Sequence, residues 1–420
     1  MHNNKVRSRL KAQLTKFSSE LCAGLSKPHT RFISQMLFGI QASQDVKLSS
    51  IARSLKEEIP LIKTENRLSR NLKAEELENE LMRQLVKMGS QRIETNTVLA
   101  LDLSDIRKEY AKKMEHLATV RDGSTGELHQ GYWLCDVTGA EVRSSEIVPL
   151  YQKLYSVEAE DFRSENAEIL AAIDLVRAHT QGRGIWAIDR GGDRRKLLEA
   201  LLDRGERFVI RSTGQRSVII ARRNLRGSVA EVAGRCRLSR QARIIKIQDG
   251  VETSLELRYG AEVVHLPGRE EKLLLVVVSG FGKQPLMLLT NVSAARDSST
   301  LWWMVEIYLT RWKIEETFRF IKQSYNLEDI RVMKYQRLKN LVVLVTAAAY
   351  FAATFLGHKM KLRILCEKLL VISQRFFGIP PFRFYALADG IKTILAQTSP
   401  NSPRELTASL QMELFVGYEA

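Results

Sequence analysis

The sequence predicts an α/β protein with a helical N-terminal region, and three observations support this. Residues 1–94 carry apolar side chains at helical spacing. From Thr95 onwards, short β-rich apolar runs alternate with helical segments. Residues 212–292 instead show hydrophobic alternation with a period of two, over a length that is too great for a loop. We therefore expect a helical domain, an α/β region and a β-rich segment after residue 211.

Charge and cysteine content narrow the class of protein. The 420 residues are enough for two or three domains and a large core. The formal net charge of +16 suggests a polyanionic partner, nucleic acid rather than a membrane. The four cysteines are far apart and form no C-x2-C pair, which argues against structural zinc. Reduced thiols and the absence of an apolar signal-peptide core predict a cytoplasmic protein.

The helical region, residues 1–94, contains a candidate helix-turn-helix pair. Ser49–Leu55 and Lys63–Asn71 are joined by a short break that includes Pro60. The second segment carries side chains that suit phosphate and base contacts, namely Lys63, Asn66, Arg67, Arg70 and Asn71. A plain helical bundle with a basic surface is the alternative, and the sequence alone leaves both open.

Two apolar strands of the predicted core end in an aspartate. The first runs from Asn96 to Asp102, and another runs from Gly184 to Asp189. Two strands with a Thr138-Gly turn and a helix over residues 166–179 lie between them, and a helix over 194–202 and a strand over 207–211 follow. This order, β-β-β-α-β-α-β over residues 95–211, is the ribonuclease-H-like pattern. Its first and fourth strands are neighbours, so Asp102 and Asp189 should meet.

Each of these acids also has an ordinary structural interpretation. An aspartate after a strand is often a turn or N-cap residue, and Asp193 could cap the helix that follows it. Asp102 and Asp189 indicate an active site only in combination with a third acid.

Leu301–Gln323 supplies that acid. It contains no Gly or Pro and predicts one long helix. At about 100° per residue, four polar side chains fall within roughly 60° of one another beside an apolar stripe: Tyr308, Arg311, Glu315 and Lys322. A salt-bridged exposed face is the simpler interpretation of such a row.

The spacing Y-x2-R-x3-E-x6-K, with Trp312 beside Arg311, resembles the bacterial DDE transposases named after insertion sequence 4. The resemblance covers roughly residues 96–350 and implies a ribonuclease-H-like catalytic core over 95–211 and 293–357, interrupted by a β-rich insertion over 212–292. It also implies that Asp102, Asp189 and Glu315 form a catalytic, metal-binding triad. C-terminal helices are expected over residues 358–420.

The resemblance further implies two Mg²⁺ ions, with Mn²⁺ able to substitute, because hard cations prefer carboxylate oxygens. Asp102 would bridge both ions. Five residues would contact DNA: Tyr308, Arg311, Lys322, Arg190 and Trp312. The partners would be double-stranded DNA, at the element's ends and at the target, and a second copy of the chain in the DNA complex. The cell location would be the cytoplasm, on the nucleoid.

Some features leave the prediction open. Family members commonly have a base-holding aromatic residue where this chain has Leu286, and Trp302, Trp303 and Trp312 are possible substitutes. Leu341–Gly357 is apolar enough for a membrane check, and its short length and Ala content favour a core helix. A ribonuclease-H-like endonuclease that does not join strands, and an inactive DNA-binding regulator, are the alternative functions.

Overall fold

The computed structural model describes residues 2–356, except 109, 124, 249, 250 and 294, together with residues 383–398 and 400. Most of the C-terminal region, where helices are predicted over residues 358–420, lies outside the described residues.

The N-terminal region is helical as predicted. Its five helices are α1 (His2–Leu21), α2 (Lys27–Ser43), α3 (Leu48–Leu55), α4 (Leu61–Asn71) and α5 (Leu77–Ser90). The Ser26 side chain accepts a hydrogen bond from the His29 amide and caps α2. Helices α3 and α4 correspond to the two helices expected from the sequence. Pro60, in the predicted break, immediately precedes α4.

The core sheet begins with four antiparallel strands, β1 (Val98–Arg107), β2 (Ala118–Arg121), β3 (Leu128–Ala140) and β4 (Ile147–Tyr155). Two further strands, β5 (Ile185–Ile188) and β6 (Phe208–Arg211), continue the sheet beside β1. The spatial order is β4-β3-β1-β5-β6, with β5 parallel to β1 and β6 parallel to β5. This order is consistent with the ribonuclease-H-like prediction. The crossover helices are α6 (Glu165–Thr180) and α7 (Arg195–Asp203).

Two predicted strand boundaries are wrong. Strand β1 does not end at Asp102 but continues to Arg107, because its antiparallel partner β3 pairs with it over that whole length. Thr138 and Gly139 belong to β3, and the chain turns at residues 141–146 instead. The Cβ of any other residue at 139 would lie 2.7 Å from the Ile93 side chain, so packing accounts for this glycine.

The segment after β6 is rich in strands, as its alternation predicts. It contains β7 (Ser217–Ile220), β8 (Leu225–Ser228), α8 (Val229–Gly234), β9 (Arg240–Gln248), β10 (Val251–His265), β11 (Leu273–Ser279) and β12 (Leu286–Thr290). Strand β12 pairs antiparallel with β6, so these strands extend the core sheet and do not form a separate one. The described part of the chain forms one sheet of 12 strands.

The predicted long helix over residues 301–323 is wrong in one respect, because it is two helices. Helix α9 (Ser298–Thr310) and helix α10 (Lys313–Tyr325) meet at Arg311 and Trp312. The Arg311 amide donates to the Tyr308 carbonyl and the Glu315 amide to the Trp312 carbonyl, so the junction is tightened to i→i−3 bonds.

The last described helices are α11 (Tyr335–Tyr350), which continues as a π-helical turn over Phe351–Phe355, and α12 (Arg383–Leu395). In the described part of the chain, Tyr335–Phe355 is the one helix whose length and composition would allow it to cross a membrane. It is almost entirely buried between the N-terminal helices and β4, which confirms the interpretation as a core helix.

Candidate active site

Asp102 lies in the middle of β1, at the point where the neighbouring parallel strand β5 has ended. Its Oδ1 accepts a hydrogen bond from the Leu103 amide at 2.9 Å, and its Oδ2 accepts one from Nη1 of Arg311 at 3.0 Å. The side chain is 22% exposed. Asp102 is therefore held by its own strand and by the start of α10, and it remains accessible.

Asp189 follows β5 directly. Leu101 and Ile188 are partners in the parallel pairing, so Asp102 and Asp189 are the next residues on two adjacent strands. Oδ1 of Asp189 accepts a hydrogen bond from the Gly191 amide at 2.6 Å and caps a single 3₁₀ turn. Asp189 thus has the structural role of an N-cap and also lies beside Asp102.

Arg311 connects the acid on β1 with the acid on α10. Its Nη2 donates to Oε1 of Glu315 at 2.9 Å while its Nη1 holds Asp102. The guanidinium lies over the ring of Tyr308, 5.8 Å from the centroid, and only 13% of the side chain is exposed. Glu315 is 55% exposed, so it is the acid with most freedom to change its rotamer.

The pKa of Asp102 reflects both its burial and its charged neighbours. Burial raises the pKa of Asp102 to about 6, and the negative charges of Asp189 and Glu315 contribute to this rise. The Arg311 guanidinium opposes it. The positive charge of Arg311 therefore does not fully offset the rise in the pKa of Asp102 that burial and the neighbouring acids cause.

The three carboxylates are suitable ligands for a divalent metal ion. Their side chains, however, are too far apart in this structure to bind one ion together. Carboxylate oxygens are the ligands that Mg²⁺ prefers, and like charges crowded together favour a cation. Among the described residues, however, no group of three or more His, Cys, Asp or Glu is close enough to hold a metal ion. Arg311 lies between Asp102 and Glu315, so these two acids could share an ion only if Arg311 turned aside.

The predicted DNA-contacting residues differ in accessibility. Arg190 is exposed on the turn after Asp189, and Trp312 is exposed beside Arg311. Tyr308 is buried, which favours support of Arg311 over stacking on a base. Lys322 forms an ion pair with Glu328 at 3.1 Å. Whether these residues contact DNA stays a prediction.

Two of the predictions about neighbouring residues have clear outcomes. Leu286 is buried in β12, so its side chain cannot hold an extruded base. Asp193 does not cap α7, whose N-cap is Arg194 without a side-chain hydrogen bond. Asp193 instead accepts hydrogen bonds from Ser212, Thr213 and Arg216. These contacts fasten the turn after Asp189 to the start of the β-rich segment.

Sequence analysis missed one acid. Asp136 on β3 is the Cα partner of Asp102 on β1, so both side chains lie on the same face of the sheet. Burial, with the charge of Asp102 contributing, raises the pKa of Asp136 well above its usual range. Gln152 donates a hydrogen bond of 2.6 Å to its Oδ1, and Oδ2 has no partner among the described residues. Only the strand pairing reveals this acid.

One family model matches the part of the chain that contains two of the three acids. The family model described as the transposase DDE domain matches residues 160–351. The matched segment includes Asp189 and Glu315, and Asp102 lies ahead of it. No curated protein matches the chain. The family match supports a DDE transposase that acts on DNA.

Proposed function

We propose that the protein binds the ends of its own insertion sequence and catalyses metal-dependent strand cleavage followed by strand transfer. The observation that carries the proposal is that Arg311 binds Asp102 and Glu315 at the same time, while Asp189 directly follows the strand beside that of Asp102. Asp102 and Asp189 come from adjacent parallel strands and Glu315 from α10, and burial raises the pKa of Asp102 with a contribution from the charges of the other two acids. A structural ion pair needs no such crowding of carboxylates.

Asp102, Asp189 and Glu315 are the residues that would hold divalent ions, with Mg²⁺ or Mn²⁺ as the expected metals. Ions bound there would activate the attacking oxygen and stabilise the leaving oxygen of the phosphodiester. Binding requires ionised carboxylates, so protonation of Asp102 below about pH 6 would weaken the site.

Cations around the acids would position the DNA. Arg190 lies on the turn directly after Asp189, and Lys322 lies on α10 about two turns after Glu315. When Arg311 leaves Asp102, its guanidinium is free to bind a phosphate with two parallel hydrogen bonds. Trp312, beside Arg311, offers an exposed ring.

The N-terminal helix α4 would contribute a separate DNA contact. Lys63, Asn66 and Arg70 are exposed along one side of it, at the spacing of a helix face. Arg67 is instead bound to Glu57 and Gln35. The predicted set of base and phosphate contacts is therefore reduced to the three exposed residues. Two ends must be cut, so we expect two copies of the chain in the DNA complex.

The proposal is tested by Glu315→Gln in the full-length protein. This variant should bind DNA that carries the terminal sequences with unchanged affinity. Its cleavage rate in Mg²⁺ or Mn²⁺ should fall on the order of 10³-fold or more, equal to about 4 kcal/mol in the activation free energy. Glu306→Gln on α9 makes the same chemical change in a carboxylate that pairs with Arg143, and it should leave the rate unaltered.

Cleavage retained by Glu315→Gln would reject the triad. Cleavage products that are never joined to a target DNA would favour the endonuclease alternative. Binding without cleavage by the unaltered protein in either metal would favour the inactive regulator.

A further inference from the structure

A basic cleft lies beyond the far end of β1. Its volume is about 750 Å³, and it opens between the loop that follows β1 and the segment that follows α10. Its lining includes Lys108, Tyr110, Lys112, Lys113, Glu328 and Arg331. None of the expected catalytic or DNA-contacting residues lines it, so it is distinct from the site around Asp102.

The two walls of the cleft are fastened to each other. Lys108 is buried, and its ammonium group donates hydrogen bonds to the carbonyl oxygens of Glu328 and Ile330. The Glu115 amide donates to the Met333 carbonyl at 3.0 Å. These bonds join the β1 loop to the segment after α10, so the cleft is formed in the absence of a ligand.

The charge inside the cleft is unbalanced. Its two acids, Glu328 and Asp329, form ion pairs with Lys322 and Lys47, which do not line the cleft. Lys112, Lys113 and Arg331 are exposed, and none of them forms an ion pair with another residue in the described part of the chain. Cations with this arrangement attract a polyanion.

An aromatic ring completes the cleft. Tyr110 is 89% exposed and lies on the same loop as Lys112 and Lys113. An exposed ring among lysines is the combination with which proteins bind single-stranded nucleic acid, because every base can stack while the cations follow the phosphates. A duplex keeps its bases stacked on each other and cannot use the ring in this way.

The position of the cleft relates it to the proposed reaction. Strand β1 leads from Asp102 to Arg107 at the rim, a distance of about 17 Å along a strand. This corresponds to about five nucleotides of duplex DNA. A DNA strand with a phosphate at the acids could therefore reach the cleft a few nucleotides away.

We propose that this cleft binds an unpaired nucleotide of the DNA on which the protein acts, with the base stacked on Tyr110 and the backbone phosphates bound by Lys112, Lys113 and Arg331. The proposal deepens the proposed function and rests on it for the identity of the substrate. An acidic peptide is the competing occupant, and the ring is what favours DNA over it.

The test measures binding of the full-length protein to a 15-nucleotide single-stranded DNA and to the duplex of the same sequence, by fluorescence anisotropy in EDTA. Tyr110→Ala should weaken single-strand binding about tenfold and duplex binding less than about twofold. Tyr110→Phe keeps a ring of the same size and should bind both probes like the unaltered protein. An equal loss on both probes, or no loss on either, would overturn the assignment of Tyr110.

The cations are tested separately. The double variant Lys112→Ala/Lys113→Ala should reduce the slope of log affinity against log salt for the single strand by about 1.4. Lys27→Ala, at an exposed lysine on α2, is the charge control and should leave the single-strand slope unchanged. Poly-glutamate that displaces the DNA as well as unlabelled single strand does, with Tyr110→Ala lacking effect, would assign the cleft to acidic peptides.

These measurements use no metal and no cleavage, so their outcome is independent of the Glu315→Gln experiment. Failure of cleavage with intact Tyr110-dependent binding would reject the proposed reaction alone. Normal cleavage without Tyr110-dependent binding would reject the cleft alone.

Discussion

Two aspartates close to the same strand, β5, have opposite electrostatic environments. The side chain of Asp193 is 1% exposed and accepts hydrogen bonds from Ser212, Thr213 and Arg216, which hold the pKa of its carboxyl below the usual value. Asp102 accepts a hydrogen bond from one cation among the described residues, Arg311, and burial together with the charges of Asp189 and Glu315 raises its pKa to about 6. We refer to these surroundings as the Asp193 pocket and the Asp102 site.

The difference separates a structural acid from a candidate catalytic one. The Asp193 pocket provides enough donors for an ionised carboxylate, so the charge stabilises the fold. The Asp102 site provides too few, so the ionised state is costly until another cation arrives. A carboxylate like that of Asp102 therefore favours binding of a metal ion or a proton. When neither is bound, its ionised form destabilises the fold.

The largest effect is expected in the Asp193 pocket. Asp193→Asn removes the charge that neutralises Arg216, whose side chain is only 12% exposed. Loss of one partner of a buried ion pair should lower the free energy of unfolding by about 3–5 kcal/mol. Thermal or urea unfolding at pH 7 measures this.

The matched control is Asp203→Asn. Asp203 also pairs with an arginine, Arg269, at 2.6 Å, but its side chain is 60% exposed. An exposed pair contributes little, so the control should change the free energy of unfolding by less than about 1 kcal/mol. Equal losses of unfolding free energy in the two variants would show that burial of Asp193 does not determine how much its ion pair stabilises the fold.

The sequence could predict the Asp102 site better than the Asp193 pocket. A run of apolar residues followed by an acid is a local sequence pattern. Its occurrence before Asp102 and before Asp189 predicted two acids on neighbouring strands. The contact between Asp193 and Arg216 joins different elements and leaves no local signal. The same holds for Asp136, whose relation to Asp102 exists only through the pairing of β1 with β3.

The errors in the sequence-based fold have a common cause. Strand β1 passes Asp102 because β3 continues to pair with it, and the helix predicted over residues 301–323 tightens at Arg311 without a Gly or Pro. At that junction the Arg311 side chain points to Asp102 on β1. Tertiary contacts override local preference in both places.

The second effect is a dependence of stability on pH that originates in the Asp102 site. Because the folded-state pKa of Asp102 is raised, the native protein holds this proton more tightly than the unfolded chain does. The associated stability is complete below about pH 4 and is lost as the pH rises to about 6. A rise from 3.8 to about 6 corresponds to about 3 kcal/mol.

Asp102→Asn should remove this dependence. In EDTA, the free energy of unfolding of the variant relative to the unaltered protein should increase between about pH 4 and pH 6 and stay constant above that. Urea titrations at several pH values measure it. A difference that does not change with pH would contradict the raised pKa. Added Mg²⁺ should stabilise the unaltered protein more than the variant, since only the former keeps all three acids.

The smallest effect on stability is expected at Lys322, which makes this residue the sharpest test of a purely functional role. Its ion pair with Glu328 is partly exposed on both sides, so Lys322→Ala should change the free energy of unfolding by less than about 1 kcal/mol. If Lys322 contacts a phosphate, the same variant should reduce the salt slope of duplex binding by about 1.

Lys16→Ala is the matched control, because Lys16 pairs with Glu20 on α1 and the substitution removes the same charge. It should leave the salt slope of duplex binding unaltered. A general effect of net charge on DNA affinity would change the slopes of both variants alike, whereas a phosphate contact changes only that of Lys322→Ala. An unchanged slope for Lys322→Ala would restrict Lys322 to its pairing with Glu328 and leave Arg190 and Arg311 as the remaining candidates for phosphate contacts near Asp102.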